Sequence, residues 1–134
     1  MIQYMLDTNI CIYIIKRKPA AVIDRFRQQQ ISKIGISSIT FSELEYGAAK
    51  SAKPEKNRYA LAQFLAPLEI LPYGGDSAIH YGIIRDYLEK QGSPIGSLDM
   101  LIAAHVLAID CTLVTNNEKE FSRVPDLQIE NWIR

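Results

Sequence analysis

The chain has 134 residues, of which 48% are hydrophobic and 22% are charged, as expected for one globular domain with a substantial core. Lys and Arg total 15 and Asp and Glu total 15, so the zero net charge argues against a generally basic nucleic-acid-coating protein. There is no apolar run of about 18 residues, and Asp7 interrupts the first apolar stretch too early for a signal peptide. We therefore expect a cytoplasmic protein with no membrane span.

Strand-like and helix-like segments alternate along the chain, as shown by short apolar runs and by apolar residues at helical spacing. The predicted elements, in order, are strand 2–6, helices 8–16 and 19–30, strand 33–37, helices 40–52 and 54–68, strand 69–72, helices 76–91 and 97–110, and strands 112–115 and 128–133. Strands separated by helices form parallel sheets covered on both faces. The prediction is an α/β fold, a three-layer α/β/α sandwich with a mainly parallel sheet of four to five strands, in a single domain over residues 1–134.

Charge is distributed unevenly along the chain. Residues 16–58 contain ten Lys or Arg and four Asp or Glu, whereas residues 59–134 contain five bases and ten acids. Such asymmetry can produce a phosphate-binding face on a neutral protein. Ordinary solvated helix faces are an equally good interpretation.

Several acids are predicted to lie at one edge of this sheet. Ligands of open parallel sheets bind beyond the carboxyl ends of the strands. Asp7 directly follows the first strand, and Glu43 lies on the helix after the second strand. Asn117 and Glu120 follow strand 112–115, and Asp99 lies on the first turn of the helix that leads into it. Asp99 is the exception to this argument, because a long connection precedes its helix.

Each acid also has a purely structural interpretation. Asp7 suits the cap position of the helix that follows it. Thr40 and Glu43 have the spacing of a capping box. Ser97 suits a helix cap, which leaves Asp99 to complement the helix dipole in the first turn. Taken one at a time, the acids do not separate the two interpretations.

Two considerations favour a shared site. Gly47 lies four residues after Glu43 and Ala103 four residues after Asp99, so both acids are expected to face a surface with little side chain. Acids gathered at one edge repel each other unless a cation binds them or their pKa values rise. A ligand set made only of oxygens favours Mg²⁺ or Mn²⁺.

Four segments carry a family resemblance. In order and spacing, the chain resembles the PIN-domain nucleases, and most closely the VapC-type toxins of bacterial toxin–antitoxin pairs, at LDTN (6–9), SELEYG (42–47), SLDMLIAAH (97–105) and TNNEKEF (115–121). The resemblance covers nearly the whole chain. It implies a PIN-like fold and an Mg²⁺-dependent endoribonuclease, with Mn²⁺ as a possible substitute, in which a metal-activated water attacks the phosphodiester.

The resemblance also implies roles for individual residues. Asp7, Glu43 and Asp99 match the metal-site carboxylates of the family and would be the catalytic acids. Asn9 and Thr115 match residues that hydrogen-bond these carboxylates or the waters of the metal.

The chain departs from the family at its fourth acid. The usual aspartate is replaced by Asn117, and Glu120 lies three residues later. If this segment forms a helical turn, Asn117 and Glu120 share a face, and Glu120 would supply the missing catalytic carboxylate. The departure leaves an alternative open, in which a PIN-like protein of weak catalytic power acts by binding RNA or a partner.

The resemblance implies partners as well. The expected substrate is a specific RNA, with transfer-RNA anticodon stem-loops as the target class and initiator tRNA as the first candidate. Its backbone would lie along the basic residues Lys16, Arg17, Lys50 and Lys53. Such toxins are inhibited by a small VapB-type antitoxin and form homodimers, so we expect both here.

Overall fold

The computed structural model describes residues 1–133. The elements, in order, are β1 Tyr4–Leu6, α1 Thr8–Lys16, α2 Ala20–Arg27, a 3-10 turn Ile31–Lys33, β2 Ile34–Ser37, α3 Ser38–Ala49, α4 Pro54–Leu65, β3 Glu69–Leu71, α5 Gly75–Lys90, α6 Ser97–Ile109, β4 Thr112–Val114, α7 Glu118–Phe121 and β5 Ile129–Glu130. Within residues 1–133, no helix is both long enough and apolar enough to cross a bilayer.

The five strands form one sheet in the order β3-β2-β1-β4-β5, and every neighbouring pair is parallel. In the centre of this sheet Met5 pairs with Gly35 on one side and with Leu113 on the other. Strands β2 and β3 follow β1 in the chain and lie on one side of it, and the chain then crosses over so that β4 and β5 lie on the other side. The carboxyl end of β1 therefore lies at the switch point, where open parallel sheets place their ligands.

Successive residues of the central strands point into two separate cores. Met5 and Leu113 pack with residues of α5 and α6 on one face of the sheet. Leu6 and Val114 pack with residues of α1, α2 and α4 on the other face. This alternation follows from the two-residue period of a strand, and it confirms the predicted three-layer fold with a parallel sheet of five strands.

The last predicted strand is shorter than expected. Strand β5 contains only Ile129 and Glu130, and the chain then turns. The turn buries the ring of Trp132, whose centre lies 5.4 Å from that of Tyr4 in an edge-on contact. The indole N–H of Trp132 donates to Glu130 Oε1 at 3.1 Å. Burial of this large ring with its polar atom satisfied outweighs extension of the strand.

Gly35 allows a close approach between β2 and β3. A Cβ atom at this position would lie 3.0 Å from the Glu69 carbonyl oxygen and 3.2 Å from Leu71 Cδ1. We expect Gly35→Ala to lower the free energy of unfolding by about 1–3 kcal/mol in chemical denaturation. Gly47→Ala is the matched control, because a Cβ there meets nothing within 4 Å and should stabilise α3 by about 0.5–1 kcal/mol. Equal effects of the two substitutions would contradict this interpretation.

Candidate active site

Asp7 is both the cap of helix α1 and a residue at the carboxyl edge of the sheet. It is 5% exposed and caps α1, with Oδ1 accepting the backbone N–H of Ile10 at 2.9 Å. Its other oxygen, Oδ2, accepts the hydroxyl of Thr115, which directly follows β4. The cap and the edge-of-sheet position are thus compatible, because the two carboxylate oxygens serve them separately.

The surroundings of Asp7 oppose its ionisation. Burial is the main cause and raises the pKa of this carboxyl above its ordinary value, and the negative charge of Glu43 raises it further. Hydrogen bonds from Thr115 and from the backbone N–H groups of Ile10 and Asn9 act in the opposite direction without cancelling the rise. Asn9 contributes in this way through its backbone, while its side chain is exposed.

Glu43 belongs to the site and not to a helix cap. Helix α3 begins directly after β2, and its cap is Ser37, whose Oγ accepts the backbone N–H of Ile39 at 3.0 Å. The predicted capping box is therefore wrong, since Thr40 is already inside the helix and buried. Glu43 lies one turn further on, where its Oε1 accepts the hydroxyl of Thr8 at 2.8 Å.

Asp99 lies in the first turn of α6. The cap of α6 is Gly96 and it makes no side-chain hydrogen bond, so the structural interpretation with a cap at Ser97 is wrong. A Cβ on Gly96 would lie 3.4 Å from Asp99 Oδ2, an ordinary van der Waals contact. The open surface predicted beside Asp99 is also wrong, because Ala103 is completely buried in the core.

Asp99 interacts with all three of the other acids. Burial is the largest cause that raises its pKa, to about 6, followed by a hydrogen bond with Glu120 and by the charge of Glu120. The charges of Glu43 and Asp7 raise it further. Asp7, Glu43 and Glu120 therefore all lie within electrostatic reach of Asp99.

The predicted helical turn after β4 is present as α7. The amide Nδ2 of Asn117 donates to Glu120 Oε2 at 3.0 Å, so the two residues share a face. The backbone N–H of Asn117 donates to Thr115 Oγ1 at 2.9 Å. Asn117 therefore connects the fourth acid to the hydroxyl that holds Asp7.

Three of the acids accept hydrogen bonds from uncharged side chains. Thr115, Thr8 and Asn117 donate to Asp7, Glu43 and Glu120, respectively, as described above. In this arrangement no three acidic, imidazole or thiol side chains of residues 1–133 converge closely enough to enclose a metal ion. The site is a group of neighbouring carboxylates, three of which accept hydrogen bonds from hydroxyl or amide groups.

A cavity of about 320 Å³ opens beside Glu43, between α1, α3 and α4. Its lining includes apolar side chains such as Ile12 and Leu61, together with Gly47 and Lys16. The open surface predicted next to Glu43 is therefore present. Lys16 is the predicted basic residue that lies along this cavity with Glu43.

The other predicted basic residues lie further along the same side of the sheet. Arg17 ends α1 in a left-handed conformation, with φ of 59°. Lys53 is the exposed cap residue of α4. The ammonium of Lys50 lies 4.8 Å from the ring centre of Tyr46, an exposed residue of α3. These cations are exposed and separate from the acids.

Sequence reasoning missed Thr8. Thr8 follows Asp7 directly, and its hydroxyl donates to the carboxylate of a residue 35 positions away. The available signal was its position next to an acid at the edge of the sheet, but the contact itself depends on packing between elements.

Comparisons with known proteins identify the family to which the chain belongs. A family model described as PIN domain matches residues 4–127. The chain is 46% identical over 132 residues to the tRNA(fMet)-specific endonuclease VapC of Shigella flexneri, covering 98% of this chain and 99% of that protein. It is 49% identical over 133 residues to the ribonuclease VapC2 of Haemophilus influenzae, covering 99% of this chain and 100% of that protein.

The solved structure of DNA-bound VapBC from Salmonella typhimurium is similar with a TM-score of 0.93 at 45% identity. The match covers 98% of this chain and 99% of that chain. The predicted family resemblance is confirmed by the family model, by the curated relatives and by the fold. The chain belongs to the PIN-domain family and, within it, to the VapC proteins.

Proposed function

We propose that this chain is an Mg²⁺-dependent endoribonuclease and the toxin of a toxin–antitoxin pair. The observation that carries the proposal is the coupling of Asp7, Glu43, Asp99 and Glu120 at the carboxyl edge of the sheet. Support comes from relatives named as ribonucleases and from similar structures of toxin–antitoxin complexes. The proposed site of action is the cytoplasm, where the proposed RNA substrate would be met.

The donor chemistry of the site fits a hard divalent cation, although the side chains do not converge around one point in the arrangement described above. All four candidate ligands are carboxylates, the donors that Mg²⁺ and Mn²⁺ prefer. Burial is the main cause that raises the pKa values of Asp7 and Asp99, and the charges of neighbouring acids raise them further. A cation would offset both effects. Asp7, Glu43 and Asp99 are the proposed ligands, and Glu120 is the proposed fourth acid.

When bound, the cation would make water more acidic and offset the charge that develops on the leaving oxygen. The side chains of the protein orient the carboxylates that would hold the cation. Thr115 and Thr8 hold Asp7 and Glu43 in fixed rotamers through their hydroxyl groups. Asn117 orients Glu120 and is itself held by Thr115. Such outer hydrogen bonds keep charged ligands in the geometry that the reaction needs.

Purified protein freed of any partner provides the test. We expect discrete fragments from total cellular RNA with Mg²⁺ and none with EDTA. Initiator tRNA is the first substrate to test by mapping fragment ends, with an elongator tRNA as the control. If folded protein shows no metal-dependent cleavage, the alternative of a binding protein with little catalytic power, suggested by Asn117, is favoured.

Glu120→Gln tests the fourth acid. We expect cleavage about 10–100-fold slower, because the substitution removes the carboxylate but keeps an acceptor for the amide of Asn117. The measurement is the cleavage rate at saturating Mg²⁺. Glu55→Gln, at an exposed position of α4, is the control. Unchanged cleavage by Glu120→Gln would show that Glu120 is not the fourth acid.

The proposed path of the RNA backbone runs over Lys16, Arg17, Lys50 and Lys53. We expect Lys16→Gln and Lys53→Gln each to weaken RNA binding and to reduce the slope of log affinity against log salt by about one. Binding can be measured by fluorescence anisotropy in EDTA, where no cleavage occurs. Arg85→Gln, at an exposed position of α5, should change neither quantity. Equal slopes for all variants would exclude this path.

A VapB-type antitoxin is the proposed partner. The cavity beside Glu43 joins an apolar lining to the acids. An inserted segment with apolar side chains and an Arg or Lys would suit both parts, since its cation would pair with the carboxylates and compete with the metal.

A further inference from the structure

Tyr46 is an exposed aromatic residue close to the acids of the candidate site. It lies on α3 and is 66% exposed. Glu43 lies three residues before it and Lys50 four residues after it, so the three side chains follow one another on successive turns of one side of the helix. From Glu43 to Lys50 the helix axis rises by about 10 Å. Tyr46 therefore lies between a proposed metal ligand and a proposed phosphate-binding residue.

The ring of Tyr46 has one covered face and one open face. The ammonium of Lys50 lies over the ring, 4.8 Å from its centre. Within residues 1–133 no other ring or polar group makes a contact of this kind with the side chain. Tyr46 also belongs to neither hydrophobic core. The fold therefore does not need this ring for packing, and the open face is available to a ligand.

Tyr59 shows that exposure alone does not distinguish Tyr46. It lies on α4 and is 67% exposed. Its hydroxyl accepts a hydrogen bond from Gln63 Nε2 at 2.8 Å, one turn further along the same helix. It lines a separate groove between α3 and α4, to which none of the four acids of the candidate site contributes. The position beside Glu43 is what distinguishes Tyr46 from Tyr59.

The charges around Tyr46 favour an anionic ligand that has flat groups. Helix α3 lies within residues 16–58, which contain ten Lys or Arg and four Asp or Glu. Lys50 and Lys53 are both exposed just after the ring in the chain. Proteins that bind single-stranded nucleic acids combine cations for the backbone with aromatic rings for the bases. Unpaired RNA has both features, so it suits this surface.

We propose that Tyr46 is the platform on which an unpaired RNA base stacks, next to the bond that is cut. The inference rests on the proposed function, because it takes the acids as the place of cleavage. When one phosphate lies at the acids and the next lies at the ammonium of Lys50, the base between them lies over Tyr46. Every base has a face that can stack, so this contact selects unpaired over paired RNA and not one base over another.

The test is the binding of a fluorescently labelled single strand of oligouridylate in EDTA, measured by anisotropy. We expect Tyr46→Leu to weaken binding about tenfold, a typical loss when one stacking ring is removed. Tyr46→Phe should bind like the parent chain, because it keeps the ring. Tyr59→Leu is the matched control, since it removes an equally exposed ring and should leave binding unchanged.

Two further measurements tell stacking from electrostatic contact. The bases of a blunt RNA duplex are already stacked on each other, so Tyr46→Leu should not weaken duplex binding. It should also leave the slope of log affinity against log salt unchanged, whereas Lys50→Gln should reduce that slope by about one. Unchanged binding of the single strand by Tyr46→Leu, or an equal loss for strand and duplex, would overturn the proposal.

The position next to the cut bond is tested with an RNA whose cleavage site has been mapped. Bases are removed one at a time, which leaves abasic nucleotides. One abasic position, adjacent to the cut bond, should slow cleavage by the parent chain about tenfold and cause no further loss in Tyr46→Leu. Equal losses in both proteins at every position would contradict this register. If no RNA is cleaved, the proposed nuclease function fails, while strand binding in EDTA still decides whether Tyr46 stacks on a base.

Discussion

The Asp7→Asn variant is expected to cleave RNA about a thousandfold more slowly than the parent chain while remaining folded. The substitution removes a proposed metal ligand, and loss of several kcal/mol of transition-state stabilisation corresponds to this factor. The asparagine oxygen can still accept the backbone N–H of Ile10, which preserves the cap of α1. The hydroxyl of Thr115 can accept from the new amide as readily as it donates to the carboxylate.

The measurements are single-turnover cleavage of the mapped RNA and binding of Mn²⁺ by calorimetry. Both should be lost together if Asp7 acts through a cation. Asp110→Asn is the matched control, because Asp110 is exposed and its positive φ of 62° suits asparagine. If Asp7→Asn still cleaves RNA at the parent rate, Asp7 acts only as a helix cap and is not a catalytic residue.

The Asp99→Asn variant is expected to be more stable than the parent chain in the absence of metal. Asp99 has a pKa of about 6 in the folded protein, against an ordinary value of 3.8. A rise of this size corresponds to about 3 kcal/mol at neutral pH. We expect a gain of about 1–2 kcal/mol in the free energy of unfolding, because water reaches part of this carboxylate and screens its interactions.

The sign of the pH dependence follows from the direction of the shift. Since the folded state binds the proton of Asp99 more tightly than the unfolded state, this carboxylate reduces stability as the pH rises from about 4 to about 6. Below that range the parent and the Asp99→Asn variant should differ little. Above it, the variant should hold its full advantage. Denaturant titrations from pH 4 to pH 8 measure the difference directly.

Two controls test whether the gain in stability is specific to the Asp99 carboxylate. Asp126→Asn changes an exposed aspartate whose positive φ of 65° asparagine tolerates, and it should leave the pH profile unchanged. Saturating Mg²⁺ should stabilise the parent chain and not Asp99→Asn, because only a state that binds the ion gains from it. A pH profile of Asp99→Asn that coincides with that of the parent would contradict the assignment.

Asp7 and Asp99 both have raised pKa values because burial and neighbouring charges oppose their ionisation. Both effects are consistent with a site that a bound cation would stabilise. The pH profile of Asp99→Asn and the effect of Mg²⁺ on the stability of the parent chain test this account.

The local sequence determined the order and type of nearly every helix and strand. The spacing of apolar residues within each short segment indicates whether it forms a strand or a helix. The alternation of the two types along the chain then indicates a layered α/β fold. The same reasoning placed Asp7, Glu43 and Glu120 at one edge, since parallel strands present their carboxyl ends together, whereas Asp99 was assigned to the site by the family resemblance. It also anticipated the shared face of Asn117 and Glu120.

Only the tertiary structure decided which groups meet. Helix α3 is capped by Ser37 and not by Thr40, because β2 runs directly into the helix. Glu43 therefore lies where its carboxylate accepts the hydroxyl of Thr8. Ala103 was buried by packing against the core. Pattern along a chain specifies the elements because their periods are local. Contacts between distant residues depend on how whole elements pack, which no short stretch of sequence contains.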